Sequence, residues 1–188
     1  MAESKNNIIT HGLSGKVGDL IVFRSKGNKT FVSAAPRKST NEPTEAQKAH
    51  QKRFQEATIY AKIAVTDTAT KDGYEKVAKS KGIGAYNVAV ADFLQAPDIV
   101  EINLSRYSGN VGDVITIIVN DDFMTKKVTV DISNADGTTV ESGDAIADAS
   151  GKLWIYTATT ANPSLDGDKI AIRAYDLPGN MTEKEREF

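Results

Sequence analysis

Residues 168–182 read DKIAIRAYDLPGNMT, and this stretch decides the fold of the C-terminal half of the chain. Its first part alternates apolar and outward-facing side chains with a period of two, which predicts a strand with one buried face. The side chains predicted to be buried are Ile170, Ile172 and Ala174. The segment 177–180, Leu-Pro-Gly-Asn, predicts a tight turn, and the charged segment 181–188 then predicts a returning strand.

Strand patterns continue from this stretch back to Asp98. Five more segments alternate or form short apolar runs, so that seven short strands fall within about 90 residues, a spacing typical of a β-sandwich. Trp154 shares a face with Tyr156, which predicts a core position rather than a platform for a ligand. The five segments are 100–105, 114–119, 128–133, 138–146 and 153–158.

The end of the chain also resembles a known family. Bacterial immunoglobulin-like domains often close on an Ala-x-Asp-x-x-Gly-Asn run, and residues 98–188 resemble them. The resemblance implies a seven-stranded immunoglobulin-like β-sandwich and names no activity. The matching residues are Ala174, Asp176, Gly179 and Asn180.

The N-terminal half begins with a predicted β-hairpin. Its strands are expected at about Lys16–Ser25 and Lys29–Ala35, with the turn at 26–28. The first strand is apolar on both faces, and a lone hairpin is marginal in water, so both faces need cover. The chain's own helices or a neighbouring copy can supply it. We predict that the apolar residues form an assembly interface: Leu20, Val22, Phe23, Phe31 and Val32.

Three helical segments follow the hairpin. Thr44 with Gln47 forms a capping-box pattern that predicts the first helix start, and a stripe at helical spacing follows. A second, shorter helix is expected from Asp67 or Thr68 to about Lys79. The third, Ala85–Leu94, contains β-branched residues that leave a strand open as an alternative. The stripe of the first helix comprises His50, Phe54, Ala57, Ala61 and Ala64.

These patterns together predict an α+β chain. Residues 1–96 form a hairpin-and-helix assembly region, which joins a sandwich at residues 97–188 near Pro97. The first part carries 15 Lys and Arg against 9 Asp and Glu, a net charge of +6, and the second has a net charge of −8. Opposed charges of this size either attract each other, within one chain or between copies, or belong to two independently solvated surfaces.

Composition excludes several kinds of chemistry. The absence of cysteine excludes disulfides, a cysteine nucleophile and thiolate metal sites. The two histidines, His11 and His50, lack a second histidine at metal-binding spacing, and nothing local suggests a serine triad. No signal-peptide core or membrane-spanning run is visible, so synthesis in the cytoplasm is expected, with incorporation into a particle as a later step.

Two glycine patterns resemble nucleotide-binding loops only superficially. Gly12-Leu-Ser-Gly-Lys16 has two residues between its glycines where a phosphate loop needs four, and Gly82-Ile-Gly84 lacks the third glycine of a dinucleotide loop. We therefore expect no enzyme activity, no cofactor and no small-molecule ligand.

Two ligand classes are weighed against simpler explanations. Aspartates near strand ends can gather around calcium, although aspartate is also common in turns for its own backbone hydrogen bonds. The basic residues of the first helix can touch phosphates, but the helix also carries acids and the acidic half would repel DNA, so nucleic acid is not expected. The aspartates are Asp121, Asp122, Asp144, Asp148, Asp166, Asp168 and Asp176.

The N-terminal half has a second resemblance. Gly15-Lys-Val-Gly-Asp19, the Gly-Asn-Lys turn at 27–29 and the Pro-Thr-x-x-Gln helix start at 43–47 are similar to small uncharacterised proteins of bacteria and their phages. That resemblance implies a structural role in a virion or virion-like particle. The expected function is a self-associating structural protein, a homo-oligomer or a subunit among others, and the alternative is an adhesion module that binds a carbohydrate or a surface.

Overall fold

The computed structural model describes residues 2–4, 10, 12–26, 29–37 and 41–188. Internal contacts divide the chain into two compact units, Met1–Glu45 and Ala46–Phe188. Helices and antiparallel strands are both present, as the α+β prediction expects. Among the described residues, no helix is both long and apolar enough to cross a membrane.

The N-terminal unit contains a four-stranded antiparallel sheet in the order β1-β4-β3-β2. The predicted hairpin is confirmed as β3 paired with β4, while its turn residues Gly27 and Asn28 lie outside the described residues. The single first strand expected at Lys16–Ser25 is wrong in extent, because a turn at residues 18–20, with Gly18 at φ 55°, separates two strands. The strands are β1 (Ala2–Ser4), β2 (Gly15–Val17), β3 (Ile21–Lys26) and β4 (Lys29–Ala34).

Three helices open the second unit: α1 (Glu45–Ala64), α2 (Lys71–Lys81) and α3 (Ala85–Leu94). The first and third agree with prediction, whereas α2 begins after the expected Asp67 or Thr68 and ends at Gly82, which adopts the left-handed conformation. The α1 stripe is buried only in its C-terminal half, since residues 45–56 are all exposed. The buried stripe residues are Ala57, Ala61 and Ala64.

Two four-stranded antiparallel sheets follow, in the orders β5-β6-β10-β9 and β12-β11-β7-β8. Buried side chains from both sheets form one apolar core, an arrangement consistent with a β-sandwich. The strands are β5 (Asp98–Arg106), β6 (Val114–Asn120), β7 (Thr125–Ser133), β8 (Thr139–Asp144), β9 (Ile146–Ala147), β10 (Leu153–Thr157), β11 (Lys169–Asp176) and β12 (Met181–Glu187).

The strand predicted from residues 168–176 is confirmed. β11 is a central strand paired with β7 and β12, and its three predicted core side chains are fully buried. Trp154 and Tyr156 are also buried in the core, as predicted.

The count of seven strands is wrong, because the segment expected as one irregular strand at 138–146 is two strands. Ala145 is buried and its backbone N–H donates to Val128, whereas Ile146 points outward with 75% of its surface exposed. The small side chain of Ala145 lets the chain pass over the core, so that β8 and β9 belong to different sheets.

β12 is an edge strand and carries charge at most positions. Lys184 Nζ donates to the Ile99 carbonyl at 3.0 Å, and the Arg186 guanidinium donates to the Ile102 carbonyl at 3.4 Å. These bonds join the edge of one sheet to the edge of the other. The charged residues are Glu183, Lys184, Glu185, Arg186 and Glu187.

The helices contact the strand region within the second unit. Tyr74 of α2 stacks on Phe123 with ring centroids 4.0 Å apart, and Lys81 forms an ion pair with Asp122 at 3.0 Å. The helices and these two sheets belong to one compact unit, whose first residue is Ala46. Whether residues 97–188 form an independent domain stays a prediction.

Candidate functional site

The five predicted interface residues lie on or beside the N-terminal hairpin, on both faces of its sheet. Phe23 and Val32 are directly paired and share one face. Val22 and Phe31 share the other, since Phe31 pairs with Arg24, two residues beyond Val22. Leu20 lies in the turn before β3 and is 79% exposed, while the other four are half-buried.

This sheet buries little of its own surface. Within the described part of Met1–Glu45, the buried residues are Thr30 and Ala35. Two apolar residues outside the predicted set are also exposed, Val17 at 56% and Leu13 at 42%. Leu13 was not recognised from the sequence. Val17 and Leu20 both precede β3 in the chain, so exposed apolar side chains lie beside the hairpin.

A second candidate site is a cluster of three aspartates in the second unit. Asp92 of α3, Asp121 after β6 and Asp176 at the end of β11 each place a carboxylate oxygen within 4.8 Å of the others. Asp92 and Asp176 are buried, and Asp121 is half-buried. Each comes from a different element, so the cluster lies where α3 meets the strands.

The hydrogen bonds of the cluster satisfy its carboxylates unequally. Asp176 accepts from the backbone N–H of Gly179 at 2.8 Å and of Asn180 at 2.6 Å, and also from the Asn180 side chain. Asp92 Oδ2 accepts from the Tyr74 hydroxyl at 2.6 Å. Asp92 Oδ1 and Asp121 Oδ2 are buried and have no hydrogen-bond partner among the described residues.

Burial and mutual repulsion disfavour charge in this cluster. Desolvation is the main cause that raises the pKa of Asp92 to about 7, and the nearby Asp121 and Asp176 carboxylates raise it further. Burial likewise raises the pKa of Asp121. No ion pair joins any of the three aspartates to a basic residue within the part of the chain that the structure describes. The negative charge of the cluster is thus not balanced by an ion pair with a described basic residue.

Aromatic hydroxyls line one side of Asp92. The Tyr60 hydroxyl lies 2.8 Å from that of Tyr74, which donates to Asp92. Desolvation raises the pKa of both tyrosines, so both keep their protons at neutral pH. The two hydroxyls thus supply one donor to Asp92 Oδ2, from Tyr74, and no positive charge.

The seven aspartates expected near strand ends do not gather as one set. Asp144 pairs with Lys127 at 3.0 Å, Asp148 caps its own turn, and Asp168 accepts from Asn162 and Ala135. The structure brings together Asp121 and Asp176 with Asp92, which sequence reasoning missed. A lone carboxylate within the apolar helix sequence AYNVAVADFL was the available signal.

The two glycine patterns have local structural roles. Gly15 begins β2, so the basic residue after it lies on a strand and not at the start of a helix that could bind phosphate. Gly82 ends α2, and the segment that follows is a turn into α3. His50 is exposed on α1, and His11 lies outside the described residues.

Comparison with known proteins gives no relative. The sequence matches no protein-family model, no curated protein and no solved structure.

Proposed function

We propose that this chain is a non-enzymatic structural protein that self-associates through its N-terminal region and builds a virion or virion-like particle. The observation that carries the proposal is the apolar, poorly buried sheet of Met1–Glu45. A small sheet with exposed Val17 and Leu20 and half-buried Phe23 and Phe31 gains stability when another surface covers it.

Charge favours a second copy of the same chain as that surface. Residues 1–45 contain seven Lys and Arg against four Asp and Glu, whereas residues 46–188 contain 16 against 21. The positive part of one copy is therefore attracted to the negative part of another. Contact between unlike surfaces is heterologous, and repeated heterologous contacts build rings or filaments, which suits a particle.

The sandwich in this proposal is immunoglobulin-like. Immunoglobulin sandwiches place strands A, B, E and D in one sheet and strands C, F and G in the other. If β5 is taken as strand A, the sheet β5-β6-β10-β9 follows the order A-B-E-D, and β12-β11-β7 follows G-F-C. β8 then extends the second sheet beside strand C before the chain crosses to β9.

Burial of the aromatic residues favours assembly over the alternative adhesion function. Sugar-binding surfaces commonly present exposed aromatic rings, because a ring face packs on the apolar side of a sugar. Trp154, Tyr156 and Tyr107 are instead buried in the core. Beside the hairpin, the exposed apolar side chains are the aliphatic Leu13, Val17 and Leu20, which suit contact with another protein surface; further exposed apolar residues, among them Val111 and Ile146, lie on the second unit.

Sedimentation of the wild-type chain at several concentrations tests the proposal. We expect mass to rise with concentration, and Val22→Asp and Phe23→Asp to abolish the rise, because a buried unpaired charge opposes association. Val111→Asp is the matched control, since Val111 is 63% exposed on the second unit and should keep wild-type behaviour. A wild type that stays monomeric at high concentration and low salt contradicts self-association.

The salt dependence separates the contributions of charge and apolar burial. Raising ionic strength should slow association, measured by light scattering, more than it lowers the final assembled mass, because salt screens surface charge but leaves buried apolar area unaffected. If salt abolishes the assembled state itself, charge rather than the apolar sheet holds the copies together.

A further inference from the structure

We infer that Asp92, Asp121 and Asp176 form a binding site for a divalent cation with a preference for oxygen ligands, Ca²⁺ in the first place. The three carboxylates come from α3, from the connection after β6 and from the end of β11, and one oxygen of each lies within 4.8 Å of the others. The inference is independent of the proposed assembly function.

The unsatisfied oxygens are the observation that distinguishes this cluster from an ordinary acidic patch. Asp92 has no exposed surface, and its Oδ1 has no hydrogen-bond partner in the described parts of the chain. Asp121 Oδ2 is likewise buried and has no hydrogen-bond partner among the described residues. A buried carboxylate oxygen without a donor costs free energy that a bound cation would recover.

Among the residues that the structure describes, no basic side chain forms an ion pair with a cluster member. Lys81 pairs with the neighbouring Asp122. Arg53 reaches the Leu94 carbonyl and the side-chain oxygen of Asn180. The hydrogen bonds that the described residues donate to the three carboxylates therefore come from hydroxyl and amide groups.

The donor set favours Ca²⁺ over Mg²⁺. Ca²⁺ takes six to eight oxygen ligands in flexible geometry, whereas Mg²⁺ demands near-ideal octahedral geometry and usually keeps several waters with only one or two carboxylates. Three carboxylates from three separate elements suit the more tolerant ion. Asp121 also lines a surface pocket with Phe123, Met124 and Lys152, so this member of the cluster lies beside solvent.

Terbium luminescence and calorimetry on the full chain test the site. After treatment with EDTA, Ca²⁺ should release or absorb heat on titration, and Tb³⁺ should show luminescence sensitised by Tyr74, whose hydroxyl lies 2.6 Å from Asp92. At about 100 times the dissociation constant, Ca²⁺ should raise the unfolding temperature by about 5–10 °C. No heat, no luminescence and no temperature shift up to about 10 mM Ca²⁺ would overturn the inference, since even weak calcium modules bind near 1 mM.

Two variants locate the ion. Asp121→Asn keeps a side-chain oxygen that can accept from the Asp122 N–H. It should weaken Ca²⁺ affinity at least about 100-fold, because loss of a residue that only supports a metal ligand costs about 10–100-fold. Asp92→Asn should be more stable than wild type in EDTA, because it removes a buried charge, yet gain nothing from Ca²⁺. Asp122→Asn is the control and should keep wild-type affinity. Equal Ca²⁺ responses in wild type and both cluster variants would show that the ion binds elsewhere.

Discussion

The side-chain nitrogen of Asn180 lies 3.1 Å from the carbonyl oxygen of Phe93, so that the β11–β12 turn covers the C-terminal end of α3. The same nitrogen lies 3.2 Å from the Asp92 carbonyl and 3.1 Å from the Gln95 carbonyl. The last carbonyls of a helix lack partners within the helix, and the two N–H groups of the Asn180 amide are shared among these three carbonyls and Asp176 Oδ2. One side chain thus links the helices to the strands.

Replacing this amide should weaken that link. Asn180→Ala is expected to lower the free energy of unfolding by about 1–3 kcal/mol, because part-buried carbonyls and Asp176 Oδ2 lose a donor. Asn87→Ala on the exposed face of α3 is the control and should change it by less than about 0.5 kcal/mol. Denaturant unfolding monitored by circular dichroism measures both, and equal values would show that the turn does not hold the helix.

Trp154 should be essential for stability. Its side chain is 6% exposed within the core, so Trp154→Ala is expected to cost about 3–5 kcal/mol. Ile155 lies next to it on β10 but is 37% exposed on the opposite face, so Ile155→Ala should cost much less. Chemical denaturation of the two variants gives the comparison. A stable Trp154→Ala variant that loses binding to a glycan or surface would favour adhesion.

Residues 98–188 should fold alone. Every residue of the larger core cluster lies within this fragment, and the helices contribute to a separate cluster. The isolated fragment is therefore expected to unfold cooperatively on heating, although at a lower temperature than the full chain, because Phe123 loses its stacking on Tyr74. A broad, non-cooperative transition would show that the helices are required.

Gly109 and Gly112 allow backbone strain to be separated from a steric clash. Both have positive φ, 89° and 91°, but a Cβ on Gly109 would lie 2.1 Å from the Asn162 carbonyl oxygen, whereas one on Gly112 meets nothing within 4 Å. Gly112→Ala should cost about 1–2 kcal/mol from φ alone. Gly109→Ala should cost clearly more, measured by thermal unfolding, and equal losses would mean that the Asn162 loop moves aside freely.

Asp113 should make stability depend on pH in the acid range. Its carboxylate accepts from the N–H of Asn110 and from the N–H and hydroxyl of Ser108, and these bonds lower its pKa. Because the folded-state pKa lies below the unfolded value of about 3.9, the stabilisation is present above that value and is lost as pH falls through the folded-state pKa.

Asp113→Asn should accordingly lower the unfolding temperature at pH 7, with a difference that shrinks towards pH 3. Asp166→Asn, in an exposed loop position, is the control and should have little effect at either pH. A difference between wild type and Asp113→Asn that stays constant across this range would mean that charge plays no part in the loop.

The elements that sequence predicted well are those whose pattern is local. α3 and β11 lie where periodicity and turn residues placed them, because each pattern spans only adjacent residues. The aspartate cluster depends on residues 92, 121 and 176, which only the packing of α3 on the strands brings together. The break between β2 and β3 was not predicted, because the apolar residues on either side of Gly18 were interpreted as one strand.

The charged edge strand β12 opposes pairing between folded chains at high protein concentration. Unpaired strand edges invite pairing with another chain, and alternating Glu, Lys and Arg residues oppose it, since a copy laid alongside must desolvate them. The β12 edge of one molecule therefore resists pairing with the same edge of a second molecule, so amyloid-like growth through this edge is not expected even in a concentrated store of the protein.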